Sequence, residues 1–492
     1  MSSAASIEAD PRRWKALGVL GLIQFMLVLD ITVVNVALPY IHNDLHFSAT
    51  GLAWVVDGYV LMAGGLLLLG GRLADILGRR EIFLIGVLVF AVASATCGAA
   101  VNPGMLVASR FVQGTGEALA APASLGLIAL LFPDEKERIK ALGLWGGIAG
   151  LGGTAGTVIS GALVNYVSWR WIFYINLPVA VFALLMVPRL VSESKMVLET
   201  RRLDFAGAIT GTGGLIGLVD GLLQAARHPW GSTSVLLPLI GGLVLLGVMP
   251  FIEARSDHPL IPPTFFENRT RLVTNSTTPF FTSGFFTYFF LLTLFEQQLL
   301  HYSPIRSGLS YLPCGLSIGL GIGVGTAMMP KVGVKNQLAF AFFMCAVGLA
   351  LTSSITTGSH YVTAIMPGMI VLGLGSGLSF PTIGNASLHG VTGQDASLAS
   401  GVQATVQQVG GALGLAVFVT IASRHAASLI SHGTVAAVAT THGYVLAFRV
   451  AAALMVVGAL LVLALMEKNV LSTPRQPGAE VAAVGTTKPQ PA

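Results

Sequence analysis

Gly71-Arg72-Leu73-Ala74-Asp75-Ile76-Leu77-Gly78-Arg79-Arg80-Glu81 is a polar knot between two long apolar runs, 51–70 and 82–101. Three arginines and two acids cannot lie in hydrocarbon, where one charge costs roughly 2.5–3.5 kcal/mol. The knot is therefore expected as a short loop at a membrane face. Gly71 and Gly78 would let the backbone turn between helices. Asp75 would reach Arg79 at i+4, pinning two helix ends together until the protein changes shape.

Composition agrees. Hydrophobic residues make up 54% of the 492 residues and charged residues only 10%, against about 25% in an ordinary soluble domain. The remaining runs of about 20 residues fall at 16–38, 103–132, 140–164, 171–190, 204–224, 234–253, 272–299, 307–328, 337–356, 361–382, 397–422 and 443–466. Each is continuously apolar and not alternating, so helices are expected and a barrel is not. The fold class is an all-α polytopic membrane protein of fourteen transmembrane helices. The first run follows Arg12, Arg13 and Lys15 but is too long for a signal peptide and carries Asp30 and Asn35, so it reads as an uncleaved span.

The net charge of +5 forms no basic patch, so nucleic acid is not expected as a partner. The basic residues report orientation. With the N-terminus in the cytoplasm, only Arg170, Arg227, Arg306, Arg424 and Arg449 of the 27 lysines and arginines fall at outer ends, and Arg110 lies inside a span. All others fall on inner segments, which places both termini in the cytoplasm. Cys97, Cys314 and Cys345 all lie in apolar runs, and no metal spacing occurs. Glycines 319–325 and 373–377 follow no nucleotide-binding pattern, so no cofactor is expected.

The two halves look related. Met329-Pro330-Lys331-Val332-Gly333-Val334-Lys335, after the tenth span, is a degraded copy of the knot after the second. The expected division is a six-helix bundle over 1–195, two inserted helices over 196–256, a second six-helix bundle over 257–471 and a disordered tail over 472–492. Duplicated bundles around a shared site are the architecture of a rocking transporter.

Here a family resemblance becomes specific. Gly71-x-Leu73-Ala74-Asp75-x-x-Gly78-Arg79-Arg80 resembles the signature loop of the major facilitator superfamily. Leu29-Asp30-Ile31-Thr32-Val33-Val34-Asn35-Val36-Ala37-Leu38-Pro39 is similar to the first-helix motif of its fourteen-span drug–proton antiporter branch. Arg110 to Gly116 is similar to the fourth-helix motif, and Trp169 to Pro178 to a motif before helix six. Tyr302 to Leu309 and Gly410 to Gly414 match later segments, so the set covers both halves of the chain. One departure stands in helix five. The stretch Gly156-Thr157-Val158-Ile159-Ser160-Gly161 lacks the proline that the family's antiporter motif carries, and with it the bend a proline supplies.

The resemblance implies a multidrug or antibiotic exporter of a bacterial inner membrane, working as a monomer among membrane lipids. It would exchange protons for a small lipophilic or cationic substrate by alternating access, with the proton gradient in place of a cofactor. Export of an endogenous metabolite, peptide or lipid is the alternative within transport. A non-transporting receptor or scaffold is the alternative outside it. No nucleophile–base arrangement supports an enzyme.

Embedded polar residues are the candidate site. Asp30, Arg110 and Glu117 are assigned to proton coupling. Arg110, Gln113 and Glu117 share one face of helix four at i, i+3 and i+7. A permanent Asp30–Arg110 staple is the bland reading. The sharper one has Asp30 alternating between a protonated, free state and an ionised, paired one. Such a carboxyl must titrate near neutrality, which asks about 4 kcal/mol of an aspartate. Asp57, Asn35, Trp54, Glu117 and Phe286 are assigned to substrate. Gly71, Asp75, Gly78, Arg79 and Arg80 form a conformational latch. Asp220 and Glu296, near the outer ends of their spans, read as solvated at the interface.

Overall fold

In a computed structural model, residues 12–132, 134–191, 204–255, 263–391 and 396–467 are described. The first bundle comprises α1 (Arg13–Leu45), α2 (Ala49–Leu77), α3 (Arg79–Gly98), α4 (Pro103–Leu131) and α5 (Glu135–Tyr166). It closes with α6 (Trp171–Tyr174) running into α7 (Asn176–Leu190). Two helices follow, α8 (Phe205–Gln224) and α9 (Thr233–Glu253). The second bundle begins with α10 (Arg269–Leu294), extended by a π-helical turn Phe295–Leu299, then α11 (Pro304–Ser310) and α12 (Leu312–Val332). It continues through α13 (Val334–Thr352), a π-helical turn Tyr361–Ile365 leading into α14 (Met366–Ser387), α15 (Ala396–Ser431) and α16 (Ala436–Leu465).

Thirteen described helices are long and apolar enough to cross a membrane. The glycine-rich α5, 32 residues long, makes the fourteenth. Helix starts follow the sequence. Ser48 accepts from Gly51 N–H at 2.9 Å, and Asn102 accepts from Met105 N–H at 2.8 Å with Pro103 at the first helical position. The expected tail at 472–492 lies outside the described residues.

The polar knot is not a loop. α2 continues through Gly71, Arg72 and Asp75 to Leu77, and Gly78 alone joins it to α3. Gly78 does so at φ 119, a conformation side chains rarely adopt. Gly71 therefore turns nothing and faces Pro122 of α4 from inside the helix. The physical reason is economy of backbone hydrogen bonds, since a one-residue joint leaves fewer peptide groups without helical partners than a longer loop.

The second half repeats the device. Gly333, at φ 81, alone joins α12 to α13. Two residues past each joint a cation reaches the end of its bundle's last helix. Arg80 Nη1 donates to Val191 O after α7 at 3.1 Å, and Lys335 Nζ to Met466 O after α16 at 2.8 Å.

The inserted pair packs through small residues. Gly214, Gly217 and Gly221 of α8 face Leu239, Gly242 and Leu246 of α9 with no room for a Cβ. The opposite face of α9 is exposed, at Leu237 and Phe251 among others. α8 touches both bundles. Thr212 lies against Gly65 of α2, and Thr420 of α15 donates to Leu222 O at 2.7 Å.

Candidate functional site: a buried polar node in the first bundle

Asp30 and Arg110 meet at 2.5 Å, with 0% and 1% of their side chains exposed. Close helix packing makes this possible. A Cβ on Gly114 would strike the Tyr59 carbonyl of α2, and one on Gly116 the Phe90 backbone of α3. α4 is thus held against both neighbours, and its Arg110–Gln113–Glu117 face points into the bundle, all three buried.

A lone pair would not satisfy the four acceptor sites of a carboxylate and the five donors of a guanidinium. The surroundings bring each group to three hydrogen bonds. Asp30 Oδ1 accepts from Gln113 Nε2 and from Asn176 Nδ2, both at 2.8 Å, while Oδ2 takes Arg110 Nη1. Arg110 Nε donates to Val55 O at 2.8 Å, and Nη1 also donates to Gln113 Oε1 at 2.8 Å. Its guanidinium lies 4.1 Å from the Tyr59 ring centroid, a favourable cation–π position at a buried site. Ser94 of α3 accepts from Asn176 at 3.0 Å and donates to Phe173 O at 2.9 Å. The node therefore ties α1, α2, α3, α4, α6 and α7 together.

Asn176 and Ser94 were not singled out from the sequence. Asn176 stands in the quoted Trp169–Pro178 stretch, and its signal was an amide inside an apolar run that must find a partner.

The other assigned residues lie apart from the node. Glu117, two turns along α4, is 8% exposed, and its Oε2 is buried without a hydrogen-bond partner among the described residues. Tyr59 stands between it and Arg110. Asp57 is fully buried, and neither carboxylate oxygen has a donor among the described residues. Asn35 is half-buried on α1. Trp54 stacks on Phe111 at 5.7 Å and lines a crevice of about 330 Å³ with Ile216, Asp220 and Pro238, facing the inserted pair. Phe286 is half-buried against Gly411 of α15.

At the opposite membrane face, Arg79 grips Asp75 Oδ1 through Nε at 3.1 Å and Nη2 at 2.9 Å. It also donates Nη1 to Gly126 O of α4 at 3.0 Å. The i+4 pair expected from the sequence is present, and it anchors the α2–α3 joint to α4. Glu296 differs from its expected interfacial setting. It is fully buried and accepts from Ser307 Oγ at 2.7 Å and Ser310 Oγ at 2.8 Å. The π-helical turn and the short α11 wrap it, neither of which hydropathy reveals.

Paired helical bundles, two inserted helices and a charged node in the membrane interior are the architecture of a multi-span membrane transporter. The chain belongs to the Major Facilitator Superfamily, whose profile it matches over residues 20–415. It is 38% identical over 477 residues to the puromycin resistance protein pur8 of Streptomyces alboniger, covering 95% of this chain and 94% of that one. It is 36% identical over 409 residues to the lincomycin resistance protein of Streptomyces lincolnensis, covering 83% and 84%. Its fold is similar to that of a bacterial homologue of the human lysosomal transporter Spinster, with TM-score 0.63 at 14% identity over 92% of this chain and 96% of that one.

Proposed function

We propose that this transporter is a proton-coupled exporter of an antibiotic-like lipophilic or cationic compound from a bacterial inner membrane, both termini being cytoplasmic. The observation that carries the reading is the Asp30–Arg110 pair, buried among neutral amides. Desolvation of two ions makes such a pair a poor stabiliser compared with apolar packing, so a role beyond stability is favoured. A proton delivered to Asp30 cancels its charge, releases the Arg110 contact and changes how six elements meet. The pair re-forms when the proton leaves on the other side.

Glu117 and Asp57 are the acids left for a cationic substrate, and antibiotic resistance is what the names of the two relatives state. One inward proton supplies about 2.3 kcal/mol per 100 mV and about 1.4 kcal/mol per pH unit. At one proton per neutral molecule, 100 mV sustains roughly fifty-fold accumulation. The Asp75–Arg79 grip on Gly126 acts as the latch of one state.

The test is transport in proteoliposomes with an imposed pH gradient and a panel of antibiotics and dyes. The native chain moves substrate against the proton flow and Asp30→Asn does not. Equal rates in both would remove Asp30 from the coupling.

A further inference from the structure

The ends of the two bundles opposite Gly78 and Gly333 meet along a tight seam. A Cβ on Gly308 of α11 would strike the Thr157 carbonyl of α5, and one on Gly161 the backbone of Pro304 and Ile305. Beside it, Gln297 Nε2 of the π-helical turn donates to Val36 O of α1 at 2.9 Å. Glu296 precedes Gln297 and holds α11 by its hydrogen bonds from Ser307 and Ser310. One carboxyl thus organises two of the parts of the second bundle that touch the first, the π-helical turn and α11.

We propose that Glu296 is a proton-binding site whose occupancy sets whether this seam is shut. The carboxyl is fully buried, and no cation stands within ion-pair distance of it among the described residues. The titratable groups that face it are Arg306 of α11, Tyr288 of α10, Tyr311 before α12 and Tyr361 of the second π-helical turn. Arg306 is exposed and stacks on Tyr302 at 3.8 Å. Tyr361 donates to Ser310 O at 2.6 Å, and Tyr311 shares a hydrogen bond with Thr293. Two serine hydroxyls do not balance a full negative charge in a dry site, whereas a proton does. With the proton bound the carboxyl stays inside and the seam closes. When the proton leaves, the carboxylate is hydrated and α11 separates from α5. The closed state binds the extra proton, so acid favours closure, and the open-to-closed ratio changes by at most about tenfold per pH unit.

This deepens the proposed export cycle by giving the second bundle its own proton site. The test places spin labels at Tyr166 and His301, both exposed and on opposite sides of the seam. Their separation is measured in lipid nanodiscs in acidic and alkaline buffer. The native chain lengthens in alkali, whereas Glu296→Gln, a neutral isostere that still accepts the serine hydrogen bonds, stays short in both. Ser307→Ala with Ser310→Ala keeps the carboxyl and shifts the midpoint of the response. A native seam that ignores pH, a Glu296→Gln seam that follows it like the native one, or an unmoved midpoint overturns the proposal. Proton-driven transport by the native chain, measured alongside, reports on the export reading independently of these distances.

Discussion

Replacing Asp30 by asparagine conserves volume, so its cost isolates charge from packing. Arg110 Nη1 would lose its 2.5 Å anionic partner while remaining 1% exposed. The single carboxamide oxygen could serve either Arg110 or the Gln113–Asn176 pair, leaving an NH₂ facing donors at the other position. Breaking a buried pair from one side costs about 3–5 kcal/mol, and both side chains here are buried. Removing both charges, as in Asp30→Asn with Arg110→Met, should be less harmful than the sum of the single changes. The expected coupling is about 2 kcal/mol or more, within the usual range for contacting residues. Reversible unfolding in mixed micelles of SDS and a mild detergent, run as a double-mutant cycle, reads this directly. Additivity within about 0.5 kcal/mol would refute the idea that the two charges depend on each other in the folded protein.

Further outcomes follow from single residues. Gly78→Ala should destabilise by about 1–3 kcal/mol through φ strain, and Gly333→Ala by a similar amount, since both joints hold positive φ; thermal melts in detergent check both. Asp57→Asn should leave the fold intact, because neither carboxylate oxygen receives a hydrogen bond from the described residues that an amide would lose. In counterflow assays the same change should depress uptake of cationic compounds more than of neutral ones, and equal effects on both would remove Asp57 from substrate recognition.

The spans were legible because hydrocarbon admits so few backbone solutions that continuous apolarity suffices. α4 and α7 begin or end within a few residues of their expected limits. The Asp30–Arg110 contact was legible too, since two opposite charges in neighbouring apolar runs have little else to do. Hidden from periodicity were features set by tertiary packing. Asn176 is neutral and became visible only when the α6–α7 junction placed its amide on Asp30. Glu296 read as a span-end residue because its wrapping depends on a π-helical turn and on Ser307 and Ser310, one turn apart on α11. The knot around Asp75 was misread as a loop because charge shows where a membrane face lies but not whether the helix stops there.

Proton release on substrate binding tests the coupling of Asp30 most directly. Purified protein in unbuffered detergent solution is mixed with a panel of cationic, neutral and anionic antibiotics while a pH dye is followed. The native chain should release a proton when its substrate binds, and Asp30→Asn should bind the same compound and release none. Undiminished release from Asp30→Asn would contradict the role given to the buried pair.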